Sequence, residues 1–421
     1  MSWAPLHPLK DLCEISHGST PSKSEARYWG GTLPWVSPKD MRSDTLSDTE
    51  DHLTSAASAE ARAPIAPPGS IFIVVRSGIL VRKLPVALAM RAMSFNQDIK
   101  TLVPDTTKIH PKYALRFLQS REREVLVSGV KKGATVHSVI SGYIEGLRVP
   151  VPSTSEQDRI VELLDEADTL RGQRTEADAK LALLLPALFR HHFGDPARNP
   201  RRFPTKSIRS LAAKYSDGPF GSNLKSDHYA SSGVRVIRLQ NIGVGQLLDG
   251  DKAYIPDVHF ASLAKHECLP GDVLIGTMGD PNLRACIQPS WLSCALNKAD
   301  CVQFRPDLSQ CTAEYICWLL NDPSTLAMAG SLVVGQTRAR ISMGRLGELE
   351  VPAPPLAKQQ EFSRQVELAS PLTEHAAASG AKLESLFQAL LHRAFTGELT
   401  SEWREAHLRE GVQEMTQLSR A

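Results

Sequence analysis

Five short polar segments put hydrogen-bonding side chains beside glycine or in loop-like sequence: Lys39-Asp40, Arg76-Ser77-Gly78, Lys131-Lys132-Gly133, Gln240-Asn241 and Gly335-Gln336-Thr337-Arg338, with Arg340 just beyond. Arg and Lys offer donors, Asn and Gln offer both donor and acceptor, and Ser and Thr do the same at short reach. The chemistry open to such groups is recognition of a polar partner rather than bond making. Sets that would make or break bonds are missing from the sequence pattern. The only Pro-Pro pairs, Ala66-Pro67-Pro68-Gly69 and Ala353-Pro354-Pro355-Leu356, do not fit the [N/D/S]-P-P-[Y/F/W] motif that an adenine methyltransferase places around a flipped base. No acidic cluster of the metal-dependent nuclease kind follows a strand. The seven cysteines include no C-x-x-C. Six of them (Cys268, Cys286, Cys294, Cys301, Cys311, Cys317) have spacings that fit no zinc pattern and read as buried free thiols of a reducing cytosol. His191 and His192 are adjacent, so one helix face cannot chelate with both, and they read as helix-end residues.

These polar segments sit on a scaffold written twice. Gly133-Ala134-Thr135 through Val149-Pro150-Val151-Pro152 returns as Gly335-Gln336-Thr337 through Val351-Pro352-Ala353-Pro354, an offset of 202 (335 − 133). Gln157 returns as Gln359, and Phe193 as Phe395. Upstream, Pro68-Gly69-Ser70-Ile71 pairs with Pro270-Gly271-Asp272-Val273, Asn96 with Asn297 and Tyr28 with Tyr229. A solenoid repeats every 20–50 residues, so this longer repeat is a whole domain with its connector. The matched positions are glycines, prolines and apolar residues, whereas the polar segments between them differ. Arg76-Ser77-Gly78 faces Met278-Gly279-Asp280, and Lys39-Asp40 faces Gln240-Asn241. One scaffold with two loop chemistries is a layout for reading two different targets.

Length and composition set the frame. A chain of 421 residues exceeds one domain, and each half is long enough to bury its own core. The 42% apolar and 22% charged fractions are those of an ordinary globular protein. A net charge of +2 (48 − 46) neither demands nor excludes a nucleic-acid partner, because a local basic face matters more than the sum. No secretory signal opens the sequence, and no apolar run approaches the ~18 residues of a membrane span. The chain reads as cytoplasmic.

Within the first copy, Pro34–Ser37 and Ser70–Val75 have the β-branched and aromatic content of strands. Gly30-Gly31, Pro67-Pro68-Gly69 and Ser77-Gly78 read as turns, and Lys112–Leu118 as a helix. Trp35 and Trp318 read as core residues. After Pro152 the pattern changes: Ser153-Thr154 forms an N-cap, and apolar residues recur at Ile160, Leu163, Ala167, Leu170, Ala177, Leu181, Leu184 and Leu188. A second such run starts near Leu356 and passes through Phe362, Val366, Ala369, Ala376, Leu383, Leu386 and Leu390. Each spans about 40 residues, or ~60 Å as helix. One apolar stripe on so long a helix needs a partner. The other copy supplies one if the two run antiparallel. Pro371 lies inside the second run, predicting a kink or interruption there.

The whole arrangement resembles the specificity (S) subunit of type I restriction–modification systems. The resemblance rests on the half-length duplication, the alternation of module and long helix, and local motifs. These are Gly18-Ser19-Thr20-Pro21-Ser22, Pro68-Gly69-Ser70-Ile71, Pro270-Gly271-Asp272-Val273-Leu274, Gly335-Gln336-Thr337-Arg338, and Ala394-Phe395-Thr396-Gly397-Glu398-Leu399 with Glu402-Trp403-Arg404. The chain departs from internal symmetry in two places. Ala134-Thr135-Val136 stands where the second copy has Gln-Thr-Arg, and Asp217-Gly218-Pro219-Phe220-Gly221-Ser222 stands opposite Gly18–Ser22. The resemblance implies an α+β fold with two duplicated mixed α/β target recognition domains. Two long antiparallel coiled-coil-like helices would join them in a pseudo-twofold arrangement. The implied domains are 1–152 and 199–354 for recognition, 153–198 and 355–399 for the helices, and 400–421 for the tail. It further implies that each domain reads one half of a split, asymmetric target in double-stranded DNA. The helices would set the spacing and dock two methyltransferase (M) subunits and the restriction/translocase (R) subunits. The chain itself would be non-catalytic, with S-adenosylmethionine, ATP and Mg held by those partners.

Base edges are read by Arg or Lys at guanine and Asn or Gln at adenine, and phosphates by Lys, Arg and hydroxyls. The candidate contacts are therefore Lys39, Arg76, Ser77, Lys131, Lys132 and Thr135 in the first domain. In the second they are Lys225, Arg238, Gln240, Asn241, Arg284, Gln336, Thr337, Arg338 and Arg340. The near-neutral charge leaves one competing class, a protein–protein scaffold built from a duplicated module without DNA. Salt-dependent DNA binding separates the two.

Overall fold

The protein is described by a computed structural model covering residues 3–133, 136–279, 281–335 and 339–407. It divides into two compact units. One joins the chain up to Arg174 with the stretch from Ser379 onward, and the other is Thr175–Ala378. Each unit has the same parts: a mixed α/β module, the near half of one long helix and the far half of the other.

In the first unit, Ile71–Val74 is buried on both faces and forms the middle of the module. Successive side chains of a strand alternate in direction. Accordingly Ile71 and Ile73 enter one core, while Phe72 and Val74 enter a second. The five-stranded sheet around it runs Cys13–His17, Ile99–Pro104, Ile71–Val74, Val86–Ala89, Thr45–Leu46. A four-stranded sheet runs Asp51–Leu53, Trp29–Val36, Met93–Phe95, Ile65–Ala66, with its two central strands parallel. The second unit repeats the plan. One sheet runs Ala212–Ser216, Cys301–Pro306, Val273–Gly276, Arg284–Ile287, and the other Tyr254–Ile255, Val234–Ile237, Ala295–Asn297, Glu267–Cys268. Its two central strands are again parallel.

The expected helix is found as Pro111–Ser120, with Pro at its start and the His110 ring accepting the Lys112 N–H at 3.2 Å. Its counterpart, Ala313–Asn321, is capped by Thr312. Gly30-Gly31 is not a turn. It lies inside the strand Trp29–Val36, where the pairing to Asp51–Leu53 shifts register. Gly30 has φ +77, and a Cβ on Gly31 would stand 2.1 Å from the Leu53 carbonyl oxygen, so the pair builds a bulge that only glycine fits.

The repeated V-P-x-P segments close each module. Arg148–Pro150 pairs with Leu6–Pro8, and Glu350–Pro352 with Thr205–Ser207. Five residues beyond each closing segment, a fully buried glutamine fixes module to helix. Gln157 Nε2 donates to the carbonyls of Lys108 (3.1 Å) and Pro152 (3.1 Å), while its Oε1 accepts from His110 N–H (2.8 Å). Gln359 makes the same three bonds to Gln310, Pro354 and Thr312 at 3.1, 2.8 and 3.0 Å. Buried polar groups must be paired, and here one side chain pairs three backbone groups in each unit. The Tyr113 and Tyr315 hydroxyls add bonds to the Pro150 (2.7 Å) and Pro352 (2.5 Å) carbonyls.

The long helices are Thr154–Ala182 followed by Leu184–Phe193, and Leu356–Thr396. Ser153 caps the first through its hydroxyl, 3.3 Å from Glu156 N. Within the first unit the two helices run antiparallel. Glu156 bonds Arg404, Ile160 and Leu164 share a core with Leu391 and Ala394, and Arg171 bonds Glu384 at 2.7 Å, so rising numbers meet falling ones. The second unit shows the same sense, with Phe193 against Phe362 (5.4 Å between rings) and His192 bonded to Gln365 (3.1 Å). The interruption is not at Pro371. Leu356–Thr396 continues through it, with the hydroxyls of Ser370 and Thr373 bonding the carbonyls of Val366 and Ser370. The first helix breaks instead at Leu183, three residues before Pro186, whose missing N–H removes the bond back to Ala182. The apolar seam is also narrower than its pattern suggests. Ile160, Val161, Leu164, Phe189 and Phe193 are buried, while Leu170, Ala177 and Leu184 are exposed. Burial is therefore concentrated where each helix meets a module. Among the described residues no helix is long and apolar enough to cross a membrane.

Candidate nucleic-acid interface

In the first unit, three short strands form a ribbon in the order Val130–Lys131, His137–Val139, Arg76–Ser77. Lys131 stands opposite Ser138, and Ser138 opposite Arg76. Directly opposed residues share a face. Two cations separated by 55 residues in sequence thus flank one serine. The Arg76 side chain is 63% exposed, and its nearest carboxylate, Asp98, is 3.8 Å away. Lys131 and Lys132 are exposed. Ser77 turns its hydroxyl back to accept the Ile79 N–H at 3.3 Å, capping the following short helix.

The second unit carries the same ribbon with the charges rearranged. Val334 stands opposite Arg340, and Arg340 opposite Met278. The Met278–Arg340 bridge lies 202 residues beyond the Arg76–Ser138 pairing at both positions. One cation flanked by two apolar side chains replaces two cations flanking a hydroxyl. Arg340 is 51% exposed and 3.6 Å from Asp300. Beside it, burial pushes the Asp217 carboxyl up to about 6, helped by the Asp300 charge.

The remaining candidates divide by whether their polar groups are free to face outward. Lys225 is exposed at the start of a short helical turn. Arg238 pairs with Asp251, and Gln240 donates to the same carboxylate at 2.6 Å. Lys39 is held between Asp51 (3.0 Å) and Glu50 (3.1 Å), which raise its pKa. Asn241 is fully buried. It accepts from Arg238 N–H at 2.9 Å and donates to the carbonyls of Leu248 (3.0 Å) and Asp251 (2.7 Å). Asp40 in the first unit plays the same part, accepting the Ser37 N–H at 2.9 Å. The Arg284 guanidinium gives its hydrogen bonds to the carbonyls of Ile242, Met278, Pro281 and Leu239 at 2.7–3.1 Å. Asn241 and Arg284 therefore hold loops together, a correction to the expectation that they face a ligand. Thr135, Gln336, Thr337 and Arg338 lie outside the described residues.

Two features escaped the sequence reading. Lys298 follows the repeated Asn297 and sits 5.7 Å over the Tyr229 ring, with Arg238 at 5.9 Å over the same ring. The sequence signal for Lys298 is its place directly after Asn297, the match of Asn96. Phe220 is exposed in the loop that replaces Gly18–Ser22. Trp35 and Trp318 are core residues, as expected. Six of the seven cysteines are buried, and burial pushes the thiols of Cys13, Cys286 and Cys311 up to about 12, which leaves them unreactive.

Residues 5–177 match the protein family described as the type I restriction modification DNA specificity domain. The chain is 40% identical over 171 residues to the EcoR124I/EcoR124II specificity subunit of Escherichia coli, covering 40% of this chain and 42% of that relative. It is 24% identical over 276 residues to the MjaIX specificity subunit of Methanocaldococcus jannaschii, covering 64% of this chain and 60% of that one. The chain thus spans less than two thirds of the length of these two relatives. The StySPI specificity subunit of Salmonella potsdam is 23% identical over 428 residues, covering 96% of this chain and 90% of the relative. Two solved structures share the fold over 94% of this chain. One comes from work on complex assembly and conformational transition of the type I R-M system (TM-score 0.58, 16% identity, 98% of that chain covered). The other is the type I S subunit from M. genitalium (TM-score 0.52, 14% identity, 96% covered).

Proposed function

We propose, from the premise that residues 5–177 belong to the type I restriction modification DNA specificity domain family and that the second half repeats them, that this protein is the DNA-reading subunit of a type I restriction–modification complex. Each module reads one half of a split, asymmetric target in double-stranded DNA. The observation that carries this reading is the pair of matched ribbons. Arg76–Ser138–Lys131 and Met278–Arg340–Val334 occupy the same place on the same scaffold with different donors and apolar groups. Base pairs are told apart by donor, acceptor and methyl patterns, so two different side-chain sets select two different half-sites.

The proposed contacts are Arg76, Ser77, Lys131 and Lys132 in one module and Lys225, Arg238, Gln240 and Arg340 in the other. Lys39, Arg238 and Gln240 would each have to leave the carboxylates that they already bond. Thr135, Gln336, Thr337 and Arg338 remain proposed from sequence alone. The chain performs no chemistry of its own in this reading. Two methyltransferase subunits and restriction subunits dock on it in the cytoplasm, and they hold S-adenosylmethionine, ATP and Mg.

Exchanging residues 1–152 for those of another family member tests the division of labour. Methylation mapping in cells carrying the partner subunits is expected to show one half of the target changed and the other retained. A change in both halves overturns the two-reader assignment. The competing reading, a protein scaffold without DNA, is favoured instead if the assembled complex shows no salt-dependent DNA binding.

A further inference from the structure

The loop Asp217–Asn223 turns a large apolar side chain outward, against the usual preference of phenylalanine for the interior. Phe220 is 51% exposed, while its neighbours Gly218 and Pro219 are buried. Single exposed apolar residues are common on protein surfaces and need no explanation by themselves. The way this one is held sets it apart. On the upstream side, a Cβ on Gly218 would lie 2.2 Å from the backbone of Lys298, so the loop is pressed against the end of the strand Ala295–Asn297. Pro219 then fixes the backbone just before the ring. On the downstream side, Gly221 has φ +59, Asn223 N–H bonds back to the Phe220 carbonyl at 3.3 Å, and His259 bonds the Asn223 carbonyl at 3.0 Å. The tip is thus anchored at both ends, with the ring outside.

The loop also starts near the ribbon residue Arg340, which pairs with Asp300 at 3.6 Å. Asp217, three residues before the ring, lies within electrostatic reach of Asp300 and Arg340. The corresponding loop of the first unit presents polar groups instead. There Thr20 bonds Gln97, and the Ser19 carbonyl accepts from Trp35.

We propose that Phe220 is a specificity-determining residue of the second module, making apolar contact with the base pairs of its half-site. This rests on the DNA-reading function proposed above. A rigid exposed ring can lie against a thymine methyl or press between base steps. Either contact reads bases and neutralises no phosphate. The first module, with hydroxyl groups in that loop, makes no such contact.

The test uses the full chain assembled with its partner methyltransferase subunits. The probes are a duplex carrying the target mapped from host methylation and an unrelated duplex of equal length. For Phe220→Ala, affinity for the target duplex is expected to fall about tenfold to a hundredfold. Binding to the unrelated duplex and the slope of log affinity against log salt should stay as in the unaltered chain, because no phosphate contact is lost. Phe220→Leu should recover part of the loss. Methylation mapping should show relaxation within the second half-site only. Unchanged target affinity in Phe220→Ala overturns the proposal. So does a loss that is equal on both duplexes, or a fall in melting temperature in both variants that accounts for the weaker binding. If the unaltered complex binds neither duplex, the DNA-reading function itself fails.

Discussion

At position 116 the first module has arginine, and 202 residues later the second has tryptophan. Both sit mid-helix, but Arg116 ties its module to a long helix through charge, whereas Trp318 belongs to the apolar core that its module shares with the long helices. Arg116 is 6% exposed at the side chain and bonds Asp44 (3.3 Å), Asp165 (2.9 Å) and Asp168 (2.9 Å), with its guanidinium 5.6 Å from the Phe387 ring. Trp318 is 9% exposed and packs on Gly245, where a Cβ would come within 2.8 Å of the indole. A cavity of about 430 Å³ beside it is lined by Leu181, Leu185, Val244 and Ala376. The shared glutamine clamp shows that the backbone joint is common to both units, so side chains are free to diverge around it. One joint is ionic and directional, the other apolar and governed by shape.

The largest expected effect tests the apolar joint. Trp318→Ala should destabilise the second unit by about 3–5 kcal/mol, read by hydrogen exchange of its amides, with first-unit amides protected as before. Equal loss in both units would show that the joints are not independent.

Arg116→Ala should cost the first unit about 1–3 kcal/mol, because three partly exposed carboxylates lose their shared partner while Asp165 keeps Lys112 and Asp168 keeps Arg171. Arg116→Met should cost less, since an apolar side chain can rest on Phe387. This joint should also be acid-sensitive. Burial pushes the Asp165 carboxyl up, but hydrogen bonds from Lys112 and Arg116 outweigh it and hold the group below the ordinary 3.8. A carboxyl held low contributes its full stability above 3.8 and loses it as pH falls through its own lower value. Denaturation of the unaltered chain across acid pH should therefore show the first unit weakening there, and Arg116→Met should flatten that slope.

Acid should act the other way at Asp217. Its carboxyl is raised from 3.8 to about 6, mainly by burial, so the folded state holds the proton more tightly than the unfolded one. Stability from this group is greatest below 3.8 and falls as pH rises toward 6. Asp217→Asn should remove that fall and stabilise the second unit at neutral pH by on the order of 1 kcal/mol after screening. A second unit whose stability is flat between pH 4 and 6 would contradict the raised carboxyl.

Sequence reading found what depends on pattern. The duplication, the helix around Tyr113, the Ser153 cap and the antiparallel helix halves all follow from spacing and residue type. It misjudged what depends on the third dimension. Gly30-Gly31 looks like any turn until the Leu53 backbone is seen against it. Pro371 and Pro186 are the same residue in similar helical sequence, and only the second accompanies a break. At the interface, polarity identified Arg76 and Lys131, but nothing in the sequence distinguishes them from Asn241 and Arg284, whose donors are spent on nearby carbonyls. In sequence Arg116 is only one residue of a helix, because its three carboxylates come from residues 44, 165 and 168.

The smallest expected effects separate two lysines of the same module. Lys131 stands on the ribbon face, exposed, with Arg76 two strands away. Lys39 is equally polar in sequence but is clasped by Glu50 and Asp51, so a phosphate would have to displace two carboxylates already in place. Each lysine that neutralises a phosphate contributes close to one unit to the slope of log affinity against log salt. Lys131→Ala in the assembled complex should lower that slope by about one and weaken target and unrelated duplexes alike. Lys39→Ala should leave the slope unchanged. Val334→Lys, at the matching ribbon position of the second unit, should raise it, since the change adds a cation where that module presents an apolar group. If Lys39→Ala lowers the slope and Lys131→Ala does not, the ribbon is not the DNA-facing side of the first module. The DNA-facing side would then be the loop around Lys39 and, in the second module, its counterpart at Gln240.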